Sequence, residues 1–287
     1  MSTDELLDTL FEGRPHALAP VVAAWLASSR RFAQFARDHH TKIRKKLRAV
    51  QDPESIRDLH LELETAYQFT LAKDLTPVYE PATGASRGPD FAVRFTTSLE
   101  FMVEVTRLRA ESDTTTVPEP ERAESDTTTA PEPERAEAID DELGRGTQGA
   151  LSERRLAGIL AAKLGQTVTG RVNLLIIGLD APPPSADELD AALRRIRRRV
   201  ETSDTDAIRR QGFTSRGNYL RRAETLSAIL VRPAPDPSRE PRPAPPPRVA
   251  LWSNPRAAVP LPTKVRSAVL RVVATSTEAH RHVDARP

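Results

Sequence analysis

Residues 88–106 read GPDFAVRFTTSLEFMVEVT, two short apolar runs of alternating character joined by a polar turn. Side chains alternate between faces along a strand, so Phe91, Val93 and Phe95 share one face, and Phe101, Val103 and Val105 share one face of a second strand. The stretch predicts a β-hairpin. Packing the apolar sets together with Phe95 opposite Phe101 sets Phe91 opposite Val105, Asp90 opposite Thr106 and Ala92 opposite Glu104. Asp90 and Glu104 then become diagonal neighbours on one face, with Cα atoms roughly 7–8 Å apart. A slip of one residue would separate them, but it would also scatter the apolar face.

Two carboxylates at that spacing repel unless a positive charge sits between them. Mg²⁺ suits the role, because it takes hard oxygen ligands, keeps several waters and is commonly held by one or two carboxylates. Glu62 or Glu64 on the preceding helix offers a third acid. The competing reading is plain: Asp90 only starts a strand after a turn, and Glu104 faces solvent.

Working outward, residues 4–50 read as helical, with apolar stripes through Leu6, Leu10 and Phe11 and then Val22, Trp25, Leu26, Phe32 and Phe35. Asp52-Pro53 is a helix start, cap followed by proline in the first turn, for a helix running to about Lys73. Leu75–Tyr79 has strand character. Beyond the hairpin, Leu156, Ile159, Leu160 and Leu164 make a helix face ended by Gly165. Val172–Leu179 is a continuous apolar run, the mark of a strand buried on both faces. Ser185 with Glu188 forms a capping box for a helix to about Val200. Strands at 226–231 and 249–252 and a helix at 263–273 close the chain. This order predicts an α/β fold, a mixed central β-sheet flanked by helices.

In domain terms, residues 1–50 form an N-terminal helical extension and 51–232 an α/β domain. Residues 233–248 form a proline-rich linker or loop, and 249–287 a strand and helix packed on the same domain. Residues 109–121 (RAESDTTTVPEPE) recur almost unchanged as 122–134, inside an acidic stretch from 109 to 142. Two polar, proline-bearing copies cannot stack into a solenoid, so this reads as a disordered insertion.

The composition narrows the function classes. With no cysteine among 287 residues, disulfides, thiolate zinc sites and cysteine nucleophiles are excluded. A net charge of +2 makes the chain no electrostatic magnet, although basic residues bunch at 42–48 and 194–199, where phosphate contact competes with solvated helix faces. No apolar run approaches the roughly 20 residues that span a bilayer, and no signal pattern opens the chain, so the cytoplasm is the expected address. There is no Gly-x-x-x-x-Gly-Lys phosphate loop and no His-Glu-x-x-His, so no nucleotide cofactor is expected. His39-His40 and His280/His282 lack nearby co-ligands for a metal. Trp252 is expected to fill core rather than stack on a base.

Glu62-Leu63-Glu64 on a helix, Tyr79-Glu80-Pro81, Gly88-Pro89-Asp90 and Val103-Glu104-Val105-Thr106, in that order, resemble the PD-(D/E)XK, restriction-endonuclease-like superfamily. The likeness covers about residues 55–180, including the helix from Leu156 and the strand from Val172. It implies a restriction-endonuclease-like core and a nuclease that hydrolyses DNA phosphodiester bonds with Mg²⁺ or Mn²⁺. By position, Asp90 and Glu104 would be metal ligands with the Val105 carbonyl beside them, and Glu62 the helix acid, with Glu64 as second choice. Thr106 departs from the pattern, because active members place a lysine there. Lys163 on the following helix is the relocated candidate, or else an ordinary lysine at a helix end interacting with the dipole. Arg107 should point to the face opposite Thr106. The alternatives are a catalytically inactive nuclease-like fold that binds nucleic acid or protein, and a plain scaffold. An oligomer is compatible with all three.

Overall fold

The computed structural model describes residues 2–82, 88–97, 99–109, 153–202, 208–209, 213–235 and 248–283. The expected insertion beyond Arg109 and most of the proline-rich segment, residues 236–247, lie outside the described residues.

Helices α1 (Thr3–Phe11), α2 (Ala19–Ser28), α3 (Arg30–Asp38), α4 (His40–Ala49) and α5 (Pro53–Leu71) lead into strands β1 (Leu75–Tyr79), β2 (Phe91–Phe95) and β3 (Leu99–Leu108). Then follow α6 (Glu153–Lys163) with a 3₁₀ turn at Leu164–Gln166, β4 (Val172–Leu179), α7 (Ala186–Thr202), α8 (Arg216–Thr225), β5 (Ala228–Pro233), β6 (Ala250–Ser253) and α9 (Thr263–Val283). The six strands form one sheet in chain order, β1 to β6. β3, β4 and β5 are parallel, and the outer pairings β1–β2, β2–β3 and β5–β6 are antiparallel. The chain is therefore an α/β protein with a mixed sheet.

Two cores sit on the two faces of that sheet. Alternate residues of the central strands separate them: Val103, Val105, Leu174 and Ile176 join α1–α5 and α9, whereas Leu175, Ile177 and Leu179 join α6, α7 and α8. All eight residues of β4 are buried, as its unbroken apolar run predicts. The helical N-terminus is no appendage, because Leu6, Leu18, Trp25 and Phe32 belong to the same core as α5 and the sheet.

Local signals set the element starts. The Asp52 side chain accepts the Ser55 N–H at 2.9 Å, with Pro53 in the first turn of α5. Ser185 and Glu188 exchange the two bonds of a capping box, at 3.2 and 2.7 Å. The sequence reading had no place for α8. Tyr219 is its one buried residue, with Leu220 and Ala223 only partly buried beside it, so it carries little periodic signal.

The hairpin register differs from the one expected. Phe91 pairs with Val103, Val93 with Phe101 and Phe95 with Leu99, two residues away from the predicted pairing. A shift of two keeps every side chain on its face, so the apolar pattern cannot tell the two registers apart. The observed one adds Leu99 and Glu100 to the ladder, sets Arg94 across from Glu100, and turns the chain at Thr96, φ 58°. Its consequence for the acids is direct.

Candidate metal centre

Continuing that register by one residue puts Asp90 directly across from Glu104, not diagonal to it. Asp90 stands just before β2, where the strand has ended and its backbone carbonyl accepts the Glu80 N–H at 2.7 Å. Its carboxylate Oδ2 accepts the Val105 N–H at 2.8 Å, in the place a longer β2 would have filled. The N–H and C=O of one strand residue point to the same side, so the Val105 carbonyl also looks toward Asp90.

Lys163, the last residue of α6, donates from Nζ to Glu104 Oε1 at 2.5 Å. With its nitrogen turned inward, the Gln166 amide lies 2.9 and 3.1 Å from the two Glu104 oxygens. The 3₁₀ turn that holds Gln166 is steadied from below by Asn173. This buried side chain donates to the carbonyls of Val168, Arg171 and Thr225, and accepts the Val168 N–H, all at 2.9 Å.

A second lysine enters from the other face. Lys46 of α4 reaches Glu62 Oε1 at 2.5 Å, Glu80 Oε1 at 3.1 Å and Asp90 Oδ1 at 3.9 Å. Lys42, one helical turn earlier, donates to the carbonyls of Tyr79 and Glu80 at 2.9 and 2.6 Å. Glu80 itself sits at φ 43°, a left-handed conformation uncommon for a residue with a side chain. The sequence reading took 42–48 as a possible phosphate-contacting patch. Instead, Lys46 turns inward onto the acids and Lys42 onto the Tyr79 and Glu80 carbonyls, while Arg44 and Arg48 pair with Glu12 at 3.8 and 3.5 Å. The 194–199 patch is also largely paired, Arg195 and Arg199 with Glu153 and Arg197 with Glu201.

The acids are held in a strained electrostatic state. Burial, and then the neighbouring Glu104 charge, raise Asp90 to about 6, with Lys46 and the Val105 N–H pulling the other way. Burial and the Asp90 charge raise Glu62 to about 7 against the pull of Lys46. Burial raises Glu104 too, although Lys163 offsets part of it. Burial works against the charge on Lys46, but Glu62 and Asp90 outweigh it, and its pKa ends above the ordinary value.

The other candidates fall elsewhere. Glu64 pairs with Arg232 and is buried on the far side of α5 from Lys46. Thr106 is half-buried and carries no charge to the acids. Arg107 lies on the opposite face from it, as expected; its guanidinium is fully enclosed and binds Glu54, Asp58 at 2.8 Å and Asp180 at 2.7 Å. His39 and His40 are occupied locally, with the Tyr79 N–H and the Arg37 carbonyl. The side chains of His280 and His282 lie outside the described residues. Residues 84–88, GASRG, fit a Gly-x-Ser-x-Gly spacing, but residues 84–87 lie outside the described residues.

Sequence reasoning gave Lys46 and Gln166 no part in the site and quoted Glu80 only within the resemblance. Nothing local marks the first two, since Lys46 is one of several lysines on a basic helix and reaches the acids only because α4 packs beside β1.

Among the described residues no group of three or more His, Asp or Glu side chains gathers as a ready metal cage. The donor set suited to a metal is smaller: Asp90, Glu104 and the Val105 carbonyl, hard oxygen donors of the kind Mg²⁺ accepts alongside water. No family model, curated protein or solved structure matches the chain, so its chemistry is read from this geometry alone. Among the described residues, no helix is long and apolar enough to cross a membrane.

Proposed function

We propose that this protein is a Mg²⁺- or Mn²⁺-dependent nuclease of restriction-endonuclease-like design that hydrolyses DNA phosphodiester bonds at Asp90 and Glu104. The observation that carries the reading is the Lys163–Glu104 contact. An ammonium from α6 arrives where the strand position two residues after Glu104 offers only threonine.

Asp90 and Glu104 would hold the ion together with the Val105 carbonyl. Such an ion, when bound, polarises a phosphodiester and lowers the pKa of an attacking water. The chain's own groups then have separate tasks. Lys163 is placed to orient that water and to balance charge developing on the phosphoryl oxygens. Glu62, titrating near 7, takes up or releases a proton at neutral pH. Lys46 keeps the Glu62, Glu80 and Asp90 carboxylates together.

One observation favours a second reading, a nuclease-like fold without activity that binds nucleic acid or protein. Lys163 is already neutralised by Glu104, and Thr106 supplies no second charge. Cleavage of single-stranded, duplex and branched DNA, with and without Mg²⁺, separates the two. Asp90→Asn should abolish metal-dependent cleavage and weaken Mn²⁺ binding while keeping the native circular dichroism spectrum. Undiminished cleavage by that variant would sink the nuclease reading, and wild-type Mn²⁺ binding without cleavage of any substrate would favour the inactive fold.

A further inference from the structure

A cavity of about 540 Å³ opens beside α6, between α7, α8 and the β6 edge of the sheet, with Leu164 and Leu226 between it and the acidic centre. The space is a cleft half-open to solvent, and its size falls within the roughly 300–1,000 Å³ range of small-molecule sites.

Its floor is apolar: Leu160, Leu164, Leu193, Leu226 and Ile229. Its mouth is basic, and the charges there are not equivalent. Arg194 is matched by Asp190, and Arg197 by Glu201 at 2.8 Å. Arg198 and Arg256 also line the opening, and among the described residues neither guanidinium has a carboxylate partner. Both are exposed.

We propose that this cavity binds a small amphipathic anion, its apolar body on the leucine floor and its carboxylate or phosphate head at Arg198 and Arg256. The floor supplies most of the attraction, since removing apolar surface from water is worth roughly 25 cal/mol per Å². The arginines select the charge, because a guanidinium matches carboxylate and phosphate oxygens geometrically as well as electrically. A neutral ligand forfeits that pairing, and a small hydrophilic anion forfeits the floor. The inference does not rest on the nuclease reading.

Trp252 makes a local reporter. It lines the cavity and donates from Nε1 to Asp190 Oδ1 at 2.8 Å, whereas the other tryptophan, Trp25, is buried in the opposite core against Tyr67. Tryptophan emission of the full chain is followed while decanoate, decyl phosphate, decanol and acetate are added, each below its aggregation limit. Saturable binding of decanoate or decyl phosphate is expected, with decanol and acetate weaker by on the order of tenfold or more. The stronger of the two anions names the head group. The Arg198→Glu/Arg256→Glu double variant, altered only at the surface, should lose a similar factor, and Ala223→Phe, which fills the cavity from its wall, should abolish the response. Equal binding of decanol, or full decanoate binding by the double variant, overturns the proposal. So does an absent response, including one traced by sedimentation to a second copy covering this face.

Discussion

At the scale of single residues, the acidic centre is a balance between burial and two lysines. Asp90 and Glu62 hold protons in the folded chain up to about 6 and about 7, whereas in the unfolded chain they release them near the ordinary carboxylate value. Between those limits the folded state binds more protons than the unfolded one. The contribution of these two acids to metal-free stability is therefore fully present below about pH 4 and is lost as pH rises through 6 to 7. Mn²⁺ affinity should run the other way, because binding requires deprotonated carboxylates: it should fall by up to about tenfold per pH unit below about 6. Titration across pH 5 to 7.5 checks this, and a flat profile would remove Asp90 from the ligand set. Lys46→Met should cost about 1–3 kcal/mol of metal-free stability at pH 7, since it leaves two half-buried carboxylates without their cation. That cost should shrink at pH 5, where both acids are protonated. Urea unfolding at the two pH values distinguishes this from a loss of packing, which would not depend on pH.

At the scale of elements, β4 and α5 approach more closely than any side chain would allow at one point. A Cβ placed on Gly178 would lie 2.6 Å from Leu61 Cδ2 and 3.3 Å from the Ala234 Cβ. Leu61 is fully buried and has nowhere to turn. Gly178→Val should therefore destabilise by about 1–3 kcal/mol through overpacking, read as a drop in the urea midpoint with an unchanged slope. Because α5 carries Glu62, a displaced α5 should also weaken the Lys46–Glu62 contact. The hairpin shows how much a small change of element matters. Both registers satisfy the alternation of Phe91, Val93 and Phe95 against Phe101, Val103 and Val105, but the predicted one leaves Asp90 diagonal to Glu104 and the observed one sets it directly across. A pattern of apolar residues is the same in both, so it cannot choose between them.

At the scale of the whole molecule, the N-terminal helices are a structural layer. Leu6, Leu18, Trp25 and Phe32 are each at most 3% exposed in the core shared with α5 and the sheet. Exposing four such side chains forfeits roughly 1.5–3 kcal/mol apiece, comparable to the 5–15 kcal/mol net stability of a typical domain. A chain beginning at residue 51 should thus lose cooperative thermal unfolding and, with it, the metal binding proposed at Asp90 and Glu104. A sharp calorimetric transition from that truncated chain would show the helices to be dispensable.

The sequence alone determined the elements with strong local codes: the apolar run of β4, the capped starts of α5 and α7, and the alternating hairpin that marks Asp90 and Glu104. The family resemblance offered Lys163 as a relocated counterpart of the lysine missing at Thr106, beside the reading of an ordinary lysine at a helix end, and the structure brings that lysine to Glu104. What only the tertiary structure decided is what sits around the acids. Lys46 and Gln166 reach them through packing of α4 against β1 and through the Asn173-braced turn, contacts between segments far apart in the chain. The cavity beside α8 escaped for the same reason, and α8 itself because it carries little periodic signal. Periodicity reports which face of an element is buried, never which partner it is buried against.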